Sequence, residues 1–172
     1  MTLKNVALDD KYTLDSGKLY MTGNQALVRL PLLQKQRDVA AGLHTAGYIS
    51  GYRGSPIGTY DMELGRAKHH LQENDIVFQP GINEDLAATA VWGTQQLEAE
   101  DDRKYDGVFA IWYGKGPGVF RSGDAIKHGS FYGASPHGGV LLIPGDDHTA
   151  KSSTIAHFSD PEMIAHGSPI LY

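Results

Sequence analysis

The chain has 172 residues, 41% hydrophobic and 20% charged, with a formal net charge of −5 and no cysteine. This is the composition of a globular chain with a core of its own, not of a disordered one. The acidic balance argues against a nucleic-acid partner, and the missing cysteine excludes disulfides, thiolate zinc sites and iron–sulfur ligation within these residues.

No apolar run approaches the roughly 18 residues needed to cross a bilayer, and Met1 to Asp10 carries no apolar signal core. A cytoplasmic protein without a membrane partner is the expectation. Residues 1–22 read as an arm. Lys11-Tyr-Thr-Leu14 and Lys18-Leu-Tyr-Met21 alternate polar and apolar residues across Asp15-Ser16-Gly17, which predicts a small β-hairpin.

Residues 23–172 read as one α/β domain. Gly23-Asn24-Gln25-Ala26 opens a helical pattern, Pro31 predicts a break, and Leu32, Leu33, Val39, Ala40 and Leu43 continue the stripe to about His44. Four apolar runs follow: Tyr48–Tyr52, Asp75–Gln79, Gly107–Tyr113 and Gly139–Ile143. They begin roughly thirty residues apart, the length of a βαβ unit, and read as strands covered on both faces.

Helical patterns fill the intervals. Ser55 as cap and Pro56 as first residue start one that runs to about Glu73. Asn83 to Glu98 is the clearest, with Leu86, Ala90, Gly93 and Leu97 on one face, and a third runs from Ser122 or Gly123 to Tyr132. The alternation predicts a doubly wound, mostly parallel α/β sheet.

In such a sheet, ligands bind at the carboxyl ends of the strands. The loops there are Arg53–Pro56, Pro80–Glu84, Gly114–Asp124 and Pro144–Ser153, all rich in glycine and polar residues. Glu84, at the start of a helix, reads either as a first-turn acid favoured by the helix dipole or as a cleft carboxylate able to share a proton with a ligand nitrogen. The Gly114 loop reads either as a phosphate cradle or as a tight turn against a neighbour. It lacks both the Walker A and the dinucleotide pattern. Arg53, Lys115 and Arg121 are candidate anchors for an anionic substrate. Asp146, Asp147 and His148 have ligand chemistry, but turn and cap hydrogen bonds are the favoured reading. His69 and His70, adjacent on a helix, are expected to point apart on the surface.

Taken together, Gly51-Tyr-Arg-Gly-Ser-Pro-Ile-Gly58, Gly81-Ile-Asn-Glu-Asp-Leu-Ala-Ala-Thr-Ala90, Tyr113-Gly-Lys-Gly-Pro-Gly-Val-Phe-Arg-Ser-Gly-Asp124 and Gly145-Asp-Asp-His-Thr-Ala-Lys-Ser-Ser153 closely resemble the indolepyruvate ferredoxin oxidoreductase family. Gly23–Ala26 matches an opening shared by related 2-oxoacid:ferredoxin oxidoreductases. The resemblance runs from about Leu19 to His157. It implies the N-terminal pyrimidine-binding domain of an enzyme dependent on thiamine diphosphate.

Under that resemblance Glu84 is the catalytic glutamate. It hydrogen-bonds N1′ of the aminopyrimidine and favours the imino tautomer that deprotonates the thiazolium. Gly116, Pro117 and Gly118 match a Gly-Pro-Gly turn near the pyrimidine. Arg53 and Ser55 match, more loosely, a substrate-facing loop in which the wider superfamily has Tyr-Pro-Ile-Thr-Pro. Arg121 joins them as a substrate-binding candidate on its chemistry alone, with a surface salt bridge as its alternative.

The implied reaction is oxidative decarboxylation of a 2-oxo acid, an aryl pyruvate such as indolepyruvate, with acylation of CoA and electrons passed through iron–sulfur clusters to ferredoxin. The chain carries no Gly-Asp-Gly…Asn diphosphate motif and no cysteine. Mg²⁺, diphosphate and clusters are therefore expected on other domains or subunits, in a homodimer or heteromer, with this chain inactive alone. Two other readings stand beside this one: a non-catalytic α/β assembly module, and an independent flavodoxin-like binder of an anion or nucleotide at the Gly114 loop.

Overall fold

The computed structural model describes residues 6–54 and 56–171. Its centre is a four-stranded, wholly parallel sheet in the order β2-β1-β3-β4, formed by β1 (Thr45–Gly51), β2 (Ile76–Phe78), β3 (Gly107–Lys115) and β4 (Gly139–Gly145). All four predicted strands are present within a few residues of their expected bounds. Register is continuous across the sheet, with Ile49 opposite Ile111 and Ile111 opposite Leu141. No helix among the described residues is long and apolar enough to cross a membrane.

The chain leaves β1 in one direction to reach β2, then returns past β1 to β3 and β4. Right-handed crossovers consequently put the helices on opposite faces of the sheet. One face carries α1 (Asp10–Thr13), α2 (Gly23–Ala40), α3 (Gly58–Arg66) and α4 (Lys68–Glu73). The other carries α5 (Glu84–Thr94), α6 (Gly116–Arg121), α7 (Gly123–Tyr132) and α8 (Asp160–Ala165), and a single 3-10 turn spans Leu97–Ala99.

Strand β3 shows why the sheet is two-sided. Its alternate side chains Ile111 and Tyr113 join a core with Val28, Leu64 and Leu71, while Ala110 and Trp112 join a second core with Val91, Val119 and Ile126. A strand buried on both faces loses the polar alternation of a half-exposed one. Cover fails only at the sheet margins, where Val77, Val140 and Leu141 are exposed. A groove of about 950 Å³ runs beside β4, lined by Ile126, Leu141, Met163 and Ile170 among others.

Several local expectations are corrected. The hairpin does not form: residues 10–13 are helical, and no strand lies between Val6 and Met21. Arg29 supplies the reason, because its guanidinium donates to the carbonyls of Lys11 and Leu14, groups a hairpin would have paired across strands. Tyr12 is buried in the core, where burial first and the Glu63 charge second push its phenol up to about 12.

Pro31 does not break the helix. Helix α2 runs through it from a capping box between Thr22 and Gln25. Pro31, Val28, Leu32 and Lys35 are all buried, so tertiary packing offsets the lost hydrogen bond. The predicted helix from Ser55 to Glu73 is two helices. Pro56 lies ahead of the first, which starts at Gly58, and Ala67 separates the pair.

Helix α5 starts where expected, capped by Asn83, but buries a different face. Ala87, Ala88 and Val91 are inside, while Leu86, Ala90 and Gly93 are exposed. Much of the Gly114–Asp124 loop is the short helix α6.

Candidate functional site

The strand order reverses between β1 and β3, and in open α/β sheets that reversal opens a crevice at the carboxyl ends. All four carboxyl-end segments converge there. Gly81 donates its backbone N–H to the Gly51 carbonyl at 2.8 Å, joining the ends of β2 and β1. A Cβ on Gly54 would lie 3.8 Å from Lys115, and one on Gly145 would collide with Ile57, so the loop after β1 crosses the ends of β3 and β4.

Glu84 is held against the end of β3 and the α6 turn. Asn83 accepts the N–H of Leu86 at 2.8 Å and starts α5, with Glu84 as its first residue. Trp112 of β3, fully buried, donates its indole N–H to the Glu84 carbonyl at 3.0 Å. The Glu84 side chain is half-buried and lies across two glycines. A Cβ on Gly118 would sit 2.3 Å from its Cγ and 2.9 Å from its Cδ, and one on Gly114 would sit 3.1 Å from its Cγ. A side chain at Gly118 would force the glutamate to shift, and one at Gly114 would crowd it. Among the described residues, the Glu84 carboxylate has no hydrogen-bond or ion-pair partner.

Of the other sequence candidates, Gly118 is the one in direct contact with Glu84. Gly116, on the same turn, faces the opposite loop, since a Cβ there would meet Asp146 and His157. Pro117 is exposed in the first turn of α6, and Arg121 is exposed in its last. Arg53 is exposed and lines a cleft of about 280 Å³ with Tyr52, Asp61, Pro80, Gly81 and Ile82. Its Pro80–Ile82 wall lies just ahead of Glu84 in the chain. Ser55 lies outside the described residues.

Sequence reading overlooked Asp61. It lines the same cleft and accepts a 2.6 Å hydrogen bond from the Tyr113 hydroxyl. Burial first, then this hydrogen bond, raises the Tyr113 phenol far above its ordinary range, so it stays protonated as a donor. The available signal was the position of Asp61, one helical turn past the β1 loop.

The Asp146–His148 segment follows its turn reading. Asp147 accepts the backbone N–H groups of Ser152 at 2.6 Å and Lys151 at 3.1 Å, and the Ser152 hydroxyl at 2.9 Å. Those bonds, the Ser152 amide foremost, hold its carboxyl down at about 2. Asp146 accepts the Ser159 N–H at 2.8 Å. Lys115 reaches across to the Ser152 carbonyl at 2.7 Å, tying this loop to the end of β3.

Chemically, the strand ends offer a carboxylate without a partner among the described residues, packed on Gly114 and Gly118, and an exposed guanidinium in a separate cleft. A carboxylate of this kind can hydrogen-bond a ring nitrogen and share its proton. Comparison with protein-family models, curated proteins and solved structures finds no match.

Proposed function

We propose that this chain is the aminopyrimidine-binding domain of a thiamine diphosphate-dependent 2-oxoacid:ferredoxin oxidoreductase of the indolepyruvate type. The observation that carries the reading is Glu84, a half-buried carboxylate without a described protein partner, held at the strand-order reversal over Gly114 and Gly118.

In this reading Glu84 holds a proton at the ring nitrogen of the pyrimidine. The Gly116–Gly118 turn, with Pro117, lies beside the pyrimidine and seats Glu84 against Gly118. Arg53, with Ser55 and Arg121, binds the carboxylate of the 2-oxo acid. The cofactor supplies carbanion stabilisation for decarboxylation. Diphosphate, Mg²⁺ and the iron–sulfur clusters belong to partner domains or subunits, which also carry the acyl group to CoA and electrons to ferredoxin.

The same geometry weighs against an anion binder at the glycine turn, because the Glu84 carboxyl lies against it and repels a phosphate. The test is Glu84→Gln in the enzyme assembled with its diphosphate-binding and iron–sulfur parts, assayed as 2-oxo acid-dependent reduction of ferredoxin. Loss of at least about tenfold in kcat is expected of a well-placed acid–base group. Unchanged turnover would leave an assembly module as the better description.

A further inference from the structure

We propose that Asp9, His69 and His70 form a binding site for a divalent transition-metal ion of the zinc type, joining the segment that opens α1 to helix α4. The site lies outside the crevice and does not depend on the function proposed above.

Adjacent residues on a helix ordinarily diverge, so the pair was expected to point apart. Instead the two imidazole rings lie face to tilted face, with centroids 3.8 Å apart and planes at 40°. The cause is α1. Tyr12 packs its ring 5.4 Å from that of His70, and the His70 residue is only 8% exposed. His69 remains exposed.

Among the described residues, His70 Nε2 is inaccessible to solvent and has no hydrogen-bond partner. It lies 3.7 Å from Asp9 Oδ1. That is too long for a hydrogen bond, and a buried polar nitrogen left unmade is costly. Two ligands at about 2.0–2.1 Å on a tetrahedral ion are separated by roughly 3.4 Å. The observed gap is close to that of two atoms sharing an ion.

The Asp9 carboxylate makes no hydrogen bond among the described residues, only its 3.7 Å approach to His70. Asp9 occupies the N-cap position of α1 but makes no side-chain capping bond. One ligand atom each from Asp9, His69 and His70 lies within 4.8 Å of the others. Asp9 and His69 are exposed and can close the remaining distance by rotation. Two imidazoles and a carboxylate are borderline donors that suit zinc, cobalt or nickel. Three protein ligands leave a fourth position for water.

The experiment is titration of the tag-free chain with ZnCl₂ by calorimetry, and with Co²⁺ by visible absorption. One equivalent is expected to bind. Asp9→Asn and His69→Ala, both at exposed positions, should each weaken binding by at least about tenfold, since even outer-shell changes cost that much. His128→Ala, at an exposed histidine that pairs with Asp124, should leave binding unchanged. Three results overturn the proposal: no stoichiometric binding, binding that survives either Asp9→Asn or His69→Ala intact, or equal loss in His128→Ala. His70→Ala is a secondary variant, read only where circular dichroism shows it folded.

Discussion

Gly118→Ala tests whether Glu84 lies against the α6 turn. The added Cβ would fall 2.3 Å from Glu84 Cγ and 2.9 Å from its Cβ and Cδ. Those atoms are near the backbone end of the side chain, which Trp112 and the Asn83 cap hold in place, so rotation relieves only part of the clash. Over-packing of this kind costs about 1–3 kcal/mol. Replacing glycine by alanine inside a helix returns up to about 1 kcal/mol. A net loss of about 0–2 kcal/mol follows, and each kcal/mol lowers Tm by roughly 2–4 °C in a chain of this length. The sharper measurement is a double-mutant cycle. With Glu84→Ala, the Cγ and Cδ contacts are gone and only the 2.9 Å approach to Cβ remains, so Gly118→Ala should cost about 1–2 kcal/mol less. Urea or thermal unfolding followed by circular dichroism should give a coupling of about 1–2 kcal/mol. Additivity to within about 0.5 kcal/mol, the behaviour of sites that do not touch, would refute the contact on which the candidate site is built.

Two further outcomes follow from the same geometry. Gly51→Ala would place a Cβ 2.1 Å from the Tyr113 carbonyl oxygen, which the β1–β3 register holds in position. A loss of at least about 3 kcal/mol is expected in urea unfolding, and a neutral result would contradict that register. The Asp147 carboxyl is lowered from 3.8 to about 2. Its contribution is therefore present above pH 3.8 and fades as the pH falls toward 2. Protection factors of the Lys151 and Ser152 amides should drop across that window and lose the dependence in Asp147→Asn; a flat profile in the parent chain argues against the turn.

The strands were legible because hydrophobic burial on both faces leaves unbroken apolar runs such as Gly107–Tyr113 and Gly139–Ile143. The place of Glu84 at the start of a helix was legible because Asn83 is a strong cap and the loop before it is punctuated by Pro80 and Gly81. What failed was local pattern overridden by distant contacts. Pro31 predicts a break only if nothing else holds the helix, and the burial of Val28 and Leu32 does. In α5 the larger residue Leu86 suggested the inner face, but the helix packs on β1, β3 and α7 through Ala87, Ala88 and Val91. Small side chains let it approach closely, and size alone does not reveal that. The alternation across Lys11–Met21 carried no information about Arg29, whose guanidinium determines what those carbonyls do. Nor did the spacing of His69 and His70 reveal Tyr12 folding over one of them.

The outermost strand has a practical consequence. Among the described residues no strand pairs with the outer edge of β4, and Val140 and Leu141 are uncovered beside it. Such an edge is indifferent to what satisfies it, and any extended backbone of suitable length will do. A preparation at high concentration is therefore expected to self-associate through this side, with a net charge of −5 providing the main opposition. Raising the ionic strength weakens that opposition, so low salt is the condition for keeping the chain dispersed.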